Sequence, residues 1–384
     1  MKKEKIASGW SLSCWGLLFI FISGFSVAAQ ESAVIGHYNK LFSTVLGGDV
    51  SFIEHLPEGY DKNKNTHPVV YMMNAQSVPD FANACATIDN LSSERIPDMI
   101  LIGICNEGVA SNYWACPDDS GRMITADKFN QFLEKELIPH INQNYRTNSY
   151  RILLGQSNSG LFALNSLIHH PDLFAAYVVA SPMLGWCPEF QAEDMTRFLE
   201  SGMFTNKKLY ITYGELDYPE VLNNIGNFSK ILEQKAPVTL QWKIESVIND
   251  GHVPYISLHD ALLYFFAECT LTPVLQNSSV ADIEAHYEKV SGEYGFRVNP
   301  KGDILMSVAW DLKEQKNFDR AIELFEYLVS IYPDNAMYLA IYGATLYKQG
   351  NLAGAREKAN AALAIDPEQR QAKALMEKLN KSSQ

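Results

Sequence analysis

The chain reads as an α/β protein in which a mostly parallel sheet covered by helices is followed by a small all-α region. Three observations carry this. From Val50 to about Thr270, short apolar runs alternate with longer amphipathic stretches, as helix-covered parallel strands require. Inside that segment Gly155-Gln156-Ser157-Asn158-Ser159-Gly160 ends one apolar run and opens the next, which puts a serine at a strand-to-helix turn. Beyond residue 300, Ala321, Phe325 and Pro333 return as Ala355, Ala359 and Pro367, each displaced by 34 residues.

At the start of the chain, Lys2, Lys3 and Lys5 precede an apolar stretch from Trp15 to Val27, and Val27-Ala28-Ala29 follows. This is the layout of a secretory signal peptide, with cleavage expected after Ala29 and a secreted or periplasmic product. The apolar part is shorter than the roughly 20 residues a spanning helix needs, so no stable membrane span is expected after cleavage. Cys14 precedes that stretch, which argues against lipid attachment there. Removing Lys2, Lys3, Lys5 and Glu4 takes a net +2 from the chain's −13 and leaves −15. Such a surface repels phosphate backbones and argues against a nucleic-acid partner.

The strands are expected at Val50 to Leu56, Val69 to Met73, Met99 to Cys105, Tyr150 to Leu154, Ala175 to Ala180, Lys208 to Tyr213 and Leu240 to Glu245. Between the third and fourth, Phe129, Phe132, Leu133, Leu137 and Ile141 recur at helical spacing and should bury one face on the sheet. Five cysteines remain after cleavage, too few for a disulfide scaffold and odd in number. Cys105 ends an apolar run and reads as a buried strand residue, whereas Cys116 and Cys187 lie in polar segments and pair if those loops meet. No CxxC or HExxH pattern supports a metal mechanism.

In the C-terminal region Ala309 and Gly343 lie 12 residues before Ala321 and Ala355. The 34-residue period and these small residues resemble tetratricopeptide repeats, in which paired helices pack closely and a proline ends the second. Ala359 stands where a large apolar residue is usual. Gln371 to Leu379 is the expected closing helix, Ala281 to Ser291 an expected cap, and Asn277-Ser278-Ser279 a linker. Two repeats fall short of the three usually needed for a continuous core, so the array should lean on another surface. The expected divisions are residues 1–29 signal peptide, 30–270 sheet domain, 271–300 linker and cap, and 301–384 repeats.

A serine becomes a useful nucleophile only when a base takes its proton and a third group orients the base. Downstream of Ser157, the strand from Lys208 ends in Gly214-Glu215-Leu216-Asp217, and the strand from Leu240 is followed by Asn249-Asp250-Gly251-His252. The order serine, acid, histidine suits this architecture. His252 is the candidate base, with Gly251 allowing the loop to turn and a helix starting at Val253-Pro254. His140, His169, His170 and His259 read as surface or core residues. Asp217 is the candidate acid, with Glu215 and Glu220 near enough to compete. An oxyanion needs two backbone N–H donors, assigned to Asn158 and, in the loop Asn74-Ala75-Gln76, to Ala75.

The runs Phe52 to Tyr60, Pro68 to Gln76, Glu136-Leu137-Ile138-Pro139 and Gly155 to Leu164 together resemble the esterase branch of the α/β-hydrolase superfamily. That branch includes siderophore trilactone esterases, feruloyl esterases and S-formylglutathione hydrolases. The resemblance covers roughly residues 40 to 270 and implies an α/β-hydrolase fold with Ser157 as nucleophile and Asp217 and His252 at the family's acidic and histidine positions. The chain departs from it at Ser159, where the family usually has Gly, at Asn74-Ala75, where Asp-Gly is frequent, and in Asn106 to Pro117, which lacks an Arg-Asp pair. The expected activity is hydrolysis of a carboxylic ester or related acyl substrate through an acyl-enzyme, without a cofactor. Tyr113, Trp114, Trp186 and Phe190 lie in loops expected to border the site, and the repeats offer a surface for a protein partner. Acyl transfer to an alcohol, and a non-catalytic protein whose hydrolase domain has decayed, are the competing readings.

Overall fold

The computed structural model describes residues 34–381 apart from 63, 119–120, 203–205 and 253–255, and apart from the side chains of Lys62, Glu189, Phe190 and Ile256. The expected signal peptide and the expected helix start at Val253-Pro254 lie outside the described residues. Eight strands form one sheet: β1 (His37–Ser43), β2 (Gly48–His55), β3 (His67–Met73), β4 (Ile100–Ile104), β5 (Thr147–Gln156), β6 (Ala176–Ala180), β7 (Lys207–Gly214) and β8 (Leu240–Val247). Their spatial order is β1-β2-β4-β3-β5-β6-β7-β8. The pairs β1–β2 and β2–β4 are antiparallel, and every pair from β4 to β8 is parallel. The central strands β3, β4 and β6 are buried along their whole length, as strands covered on both faces must be.

Strand β1 had no counterpart among the expected strands. It is an edge strand with alternating exposure, so the continuous apolar signature of the buried strands is missing from it. Its turn into β2 is tied down from a distance: the Glu136 carboxylate accepts the N–H groups of Thr44 and Val45 at 2.9 and 3.1 Å, together with the Ser43 and Thr44 hydroxyls.

Helices α1 (Val78–Ser92), α2 (Ile124–Phe132), α3 (Ile138–Asn144), α4 (Asn158–His169), α5 (Pro188–Ser201), α6 (Pro219–Lys235) and α7 (Ile256–Phe265) cover the sheet. A single π-helical turn, Leu133–Leu137, joins α2 to α3. Phe129, Phe132, Leu133, Leu137 and Ile141 are all buried along that composite helix, as their spacing implies.

After the short α8 (Pro273–Gln276), six helices follow among the described residues: α9 (Val280–Tyr294), α10 (Gly302–Glu314), α11 (Phe318–Ile331), α12 (Ala336–Gln349), α13 (Leu352–Ile365) and α14 (Arg370–Lys381), the last closing the array. Ser279, in the expected linker, caps α9 through a reciprocal capping box with Asp282. Ala309, Ala321, Ala355 and Ala359 are fully buried between the helices. A Cβ on Gly343 would stand 3.1 Å from Leu375 and 3.2 Å from the Ala355 carbonyl, so that contact favours a residue without a side chain.

The array leans on the sheet domain. Within residues 35–384, which form one compact unit, a single apolar cluster runs from sheet residues such as Val70 and Ile152 through Phe265, Tyr287 and Tyr294 to Phe325 and Leu375. Polar bonds reinforce the seam: Tyr294 donates to Phe265 O at 2.5 Å, Tyr287 to Cys269 O at 3.0 Å, and Lys301 pairs with Asp98 at 2.8 Å.

Candidate active site

Ser157 follows β5 directly and caps α4, with φ 57° and ψ −119°. A non-glycine residue reaches such a conformation only when its surroundings hold it there. Its N–H donates to Ala180 O at 2.9 Å, and its carbonyl accepts from Leu161 N at 3.1 Å and Met183 N at 3.4 Å. The turn is so tight that a Cβ on Gly155 would lie 2.1 Å from Ser159 O, which explains the glycine. The hydroxyl-bearing residue thus projects from the start of a twelve-residue helix, whose first N–H groups have no partner within the helix.

Asp217 and His252 meet beyond β7 and β8. His252 Nδ1 lies 2.8 Å from Asp217 Oδ1, and the Asp217 side chain is fully buried while that of His252 is 22% exposed. A Cβ on Gly214 would fall 1.8 Å from Gly251 O, so the end of β7 and the histidine loop are in direct backbone contact. Leu216 N donates to Asp250 O at 2.8 Å, fixing that contact. Gly251 was expected to make the turn, but the left-handed residue of this loop is Asn249, with φ 58°. Glu215 points elsewhere: its carboxylate accepts Asn249 N at 3.5 Å. Asp217 does not cap the next helix, whose N-cap is Tyr218. The Tyr218 ring packs on His252 at a centroid distance of 4.9 Å.

One residue of this arrangement was not anticipated from the sequence. Ser181, just past β6 with φ 43°, donates its hydroxyl to Asp217 Oδ2 at 2.5 Å. The same carboxylate takes Tyr218 N at 2.7 Å on Oδ1. Ser181 is the neighbour of Ala180, whose carbonyl holds Ser157 N, so the end of β6 links the serine turn to the acid. The only sequence signal was a Ser-Pro pair after a buried strand, which many turns share.

The assignment of Ala75 as an oxyanion donor is corrected by the structure. Ala75 N donates to Ile104 O at 2.9 Å, continuing the β3–β4 ladder, so that N–H is committed. Asn158 stands at the first position of α4, where a helix N–H is unclaimed. Tyr113 is buried with its hydroxyl on Asn74, while Trp114 and Trp186 are each 43% exposed and pack as a tilted pair with ring centroids 4.6 Å apart. A Cys116–Cys187 disulfide, with Cα atoms 5.9 Å apart, ties their two loops together. Phe190 lies outside the described side chains. Cys85, Cys105 and Cys269 are free and buried, and burial lifts their thiols to about 12, 11 and 12, far from reactive thiolates.

Residues 43–263, more than half of the chain, match the family described as "Putative esterase", and residues 312–379 match a tetratricopeptide-repeat family. The ferri-bacillibactin esterase BesA of Bacillus subtilis is 29% identical over 119 residues, which is 30% of this chain and 41% of that one. The match thus spans less than half the length of this curated relative. An IroE-like serine hydrolase from Shewanella oneidensis shares the fold with a TM-score of 0.65 and 23% identity, over 77% of this chain and 99% of that one. A protein from Capnocytophaga ochracea is similar over 90% of this chain and 99% of its own, with a TM-score of 0.63 and 14% identity.

Proposed function

The chain belongs to the esterase family, and on that premise we propose that it hydrolyses a carboxylic ester through an acyl-enzyme formed on Ser157. In this reading His252 Nε2 takes the serine proton as the hydroxyl attacks the ester carbonyl, and returns it to the departing alcohol. Asp217 holds the tautomer with the proton on Nδ1 and stabilises the imidazolium. Water then repeats the sequence on the acyl-enzyme, with His252 again as base. The tetrahedral oxyanion is received by Asn158 N–H and, in place of Ala75, by Gln76 N–H. Supporting Gln76 are its position in the same loop and its side chain, whose Oε1 accepts Asn106 N at 2.9 Å and so steadies it.

The observation that carries the reading is the imidazole gripped through Nδ1 by a buried carboxylate, on the same edge of the parallel sheet as a serine held at positive φ. Turnover of p-nitrophenyl acetate and labelling by a fluorophosphonate test it. Ser157→Ala should lower kcat/KM by about 10⁴-fold or more and abolish labelling, and Asp217→Asn should lower kcat by about 10³- to 10⁴-fold. Full activity in Ser157→Ala would overturn the mechanism.

For the substrate we propose a siderophore-type ester as the first to test, by likeness to the ferri-bacillibactin esterase; no turnover of such esters beside turnover of simple ones would remove it. The mature protein is proposed to work outside the cytosol. Its support is the Lys-rich, apolar start of the chain and the disulfide, since such bonds persist in oxidising compartments. Fractionation of cells with N-terminal sequencing of the product tests this. A protein partner on the repeats is a separate proposal, supported by the repeat match and tested by crosslinking the full chain in cells.

A further inference from the structure

Two of the places where the sequence departs from the family it resembles, Asn74 and Ser159, touch each other. Asn74 Nδ2 donates to Ser159 Oγ at 3.1 Å, joining the loop after β3 to the second residue of α4. Ser159 is fully buried, and its hydroxyl also accepts Gln156 N at 2.9 Å and donates to Gln156 O at 2.8 Å. A hydroxyl offers one proton and two lone pairs, so all of its capacity is used. The other end of the Asn74 amide is held as well: Oδ1 accepts the Tyr113 hydroxyl at 2.7 Å. Tyr113 in turn accepts Asn106 Nδ2 at 3.3 Å, and Asn106 N donates to Gln76 Oε1 at 2.9 Å. The bonds therefore leave the loop at Asn74 and re-enter it at Gln76.

We propose that the Asn74–Ser159 bond is a latch that sets the distance between the oxyanion loop and the nucleophile turn, making these two side chains positioning residues for the esterase reaction. The inference rests on the function proposed above. Its physical basis is a division of labour around the loop. The Ala75 N–H fixes the loop to β4, but β4 lies on the side of β3 away from β5 and Ser157. The side-chain bridge from Asn74 crosses instead to the serine side. Asn74 holds φ 62°, a conformation disfavoured for a side-chain-bearing residue, and its amide is bonded at both ends, which holds it there. Oxyanion donors act only near their productive geometry, and a displacement of about 1 Å can cost on the order of 100-fold in rate. Neither side chain is assigned a contact with the reacting atoms, so their loss should appear in kcat.

A double-mutant cycle in the full-length protein tests the latch, with Ser159→Ala removing the hydroxyl and Asn74→Gly removing the amide while keeping the left-handed backbone. Each single variant is expected to lose about tenfold in kcat for p-nitrophenyl acetate with KM within about twofold, and the double variant to fall within about threefold of the worse single one. Losses that multiply, losses confined to KM, or no loss at all overturn the latch. Melting curves confirm that each variant is folded; if Ser159→Ala is not, Ser159→Gly closes the same cycle. Ser157→Ala run alongside separates the two levels. If it stays active, the esterase mechanism fails and takes the latch with it; if it is silent and the cycle multiplies, only the latch fails.

Discussion

Six non-glycine residues among those described hold a positive φ, five of them in the sheet domain, where Asn206 precedes β7 and the other four follow strands. Asn74, Ser157, Ser181 and Asn249 follow β3, β5, β6 and β8, all on the edge where the strands end. The helical region from α9 onward contains one, Lys316, and otherwise uses glycine, at Gly295 and Gly350, to end helices. The repeats need only regular helices that pack, so their turns can be relaxed. The proposed function asks the sheet edge to aim a hydroxyl, an imidazole and backbone N–H groups at one place, and the residues there hold backbone conformations that surrounding bonds fix in position. Four of the five such residues in the sheet domain thus lie on the edge that carries the proposed chemistry.

The largest effect is expected at the seam. Tyr287 is fully buried and bonds Cys269 O, so Tyr287→Ala should destabilise the protein by about 3–5 kcal/mol. Because one apolar cluster spans sheet and repeats, urea unfolding should remain a single transition by near-UV and far-UV circular dichroism alike. Two separate transitions would break the comparison by making the repeats an independent unit.

A smaller effect, opposite in sign, sharpens it. Ser157→Gly should raise stability by about 1–2 kcal/mol, since glycine adopts φ 57° without a steric penalty, while abolishing hydrolysis. Thermal unfolding of this variant beside wild type measures the strain; an unchanged or lower melting point would mean that the turn stores none.

The smallest effect concerns the outer hairpin. Burial alone would raise the Glu136 carboxyl, but the Ser43 and Thr44 hydroxyls and the N–H groups of Val45 and Thr44 outweigh it and hold the group below its ordinary value. A depressed carboxylate contributes stability above its unfolded pKa, near 4.3, and loses that contribution as pH falls through the folded value. Glu136→Gln should therefore cost about 1 kcal/mol at pH 7, after allowance for solvent screening, and progressively less towards pH 3. A cost independent of pH, read from urea unfolding, would show that the charge is irrelevant there.

Much of this was legible in the chain itself. The buried strands announced themselves because helices on both faces demand continuous apolar runs, and β3, β4 and β6 carry them. The 34-residue recurrence placed the paired helices, since small residues at fixed offsets are a packing requirement. The polar edge strand β1 was hidden, because one exposed side and an unpaired edge impose little on side-chain identity.

For the site, residue types beyond strand ends pointed to Ser157 and His252 and left Asp217 in competition with Glu215 and Glu220; the structure puts the Asp217 carboxylate on His252. What the fold alone decided is everything carried by backbone and by contact. Ala75 N–H turned towards β4, the turn of the histidine loop came at Asn249, Ser181 reached Asp217, and Asn74 met Ser159. An N–H group is common to all residues except proline, and a hydrogen bond spanning 85 positions depends on how strands are ordered in space. Neither leaves a mark in the order of amino acids until the sheet has brought the ends of β3 and β5 side by side.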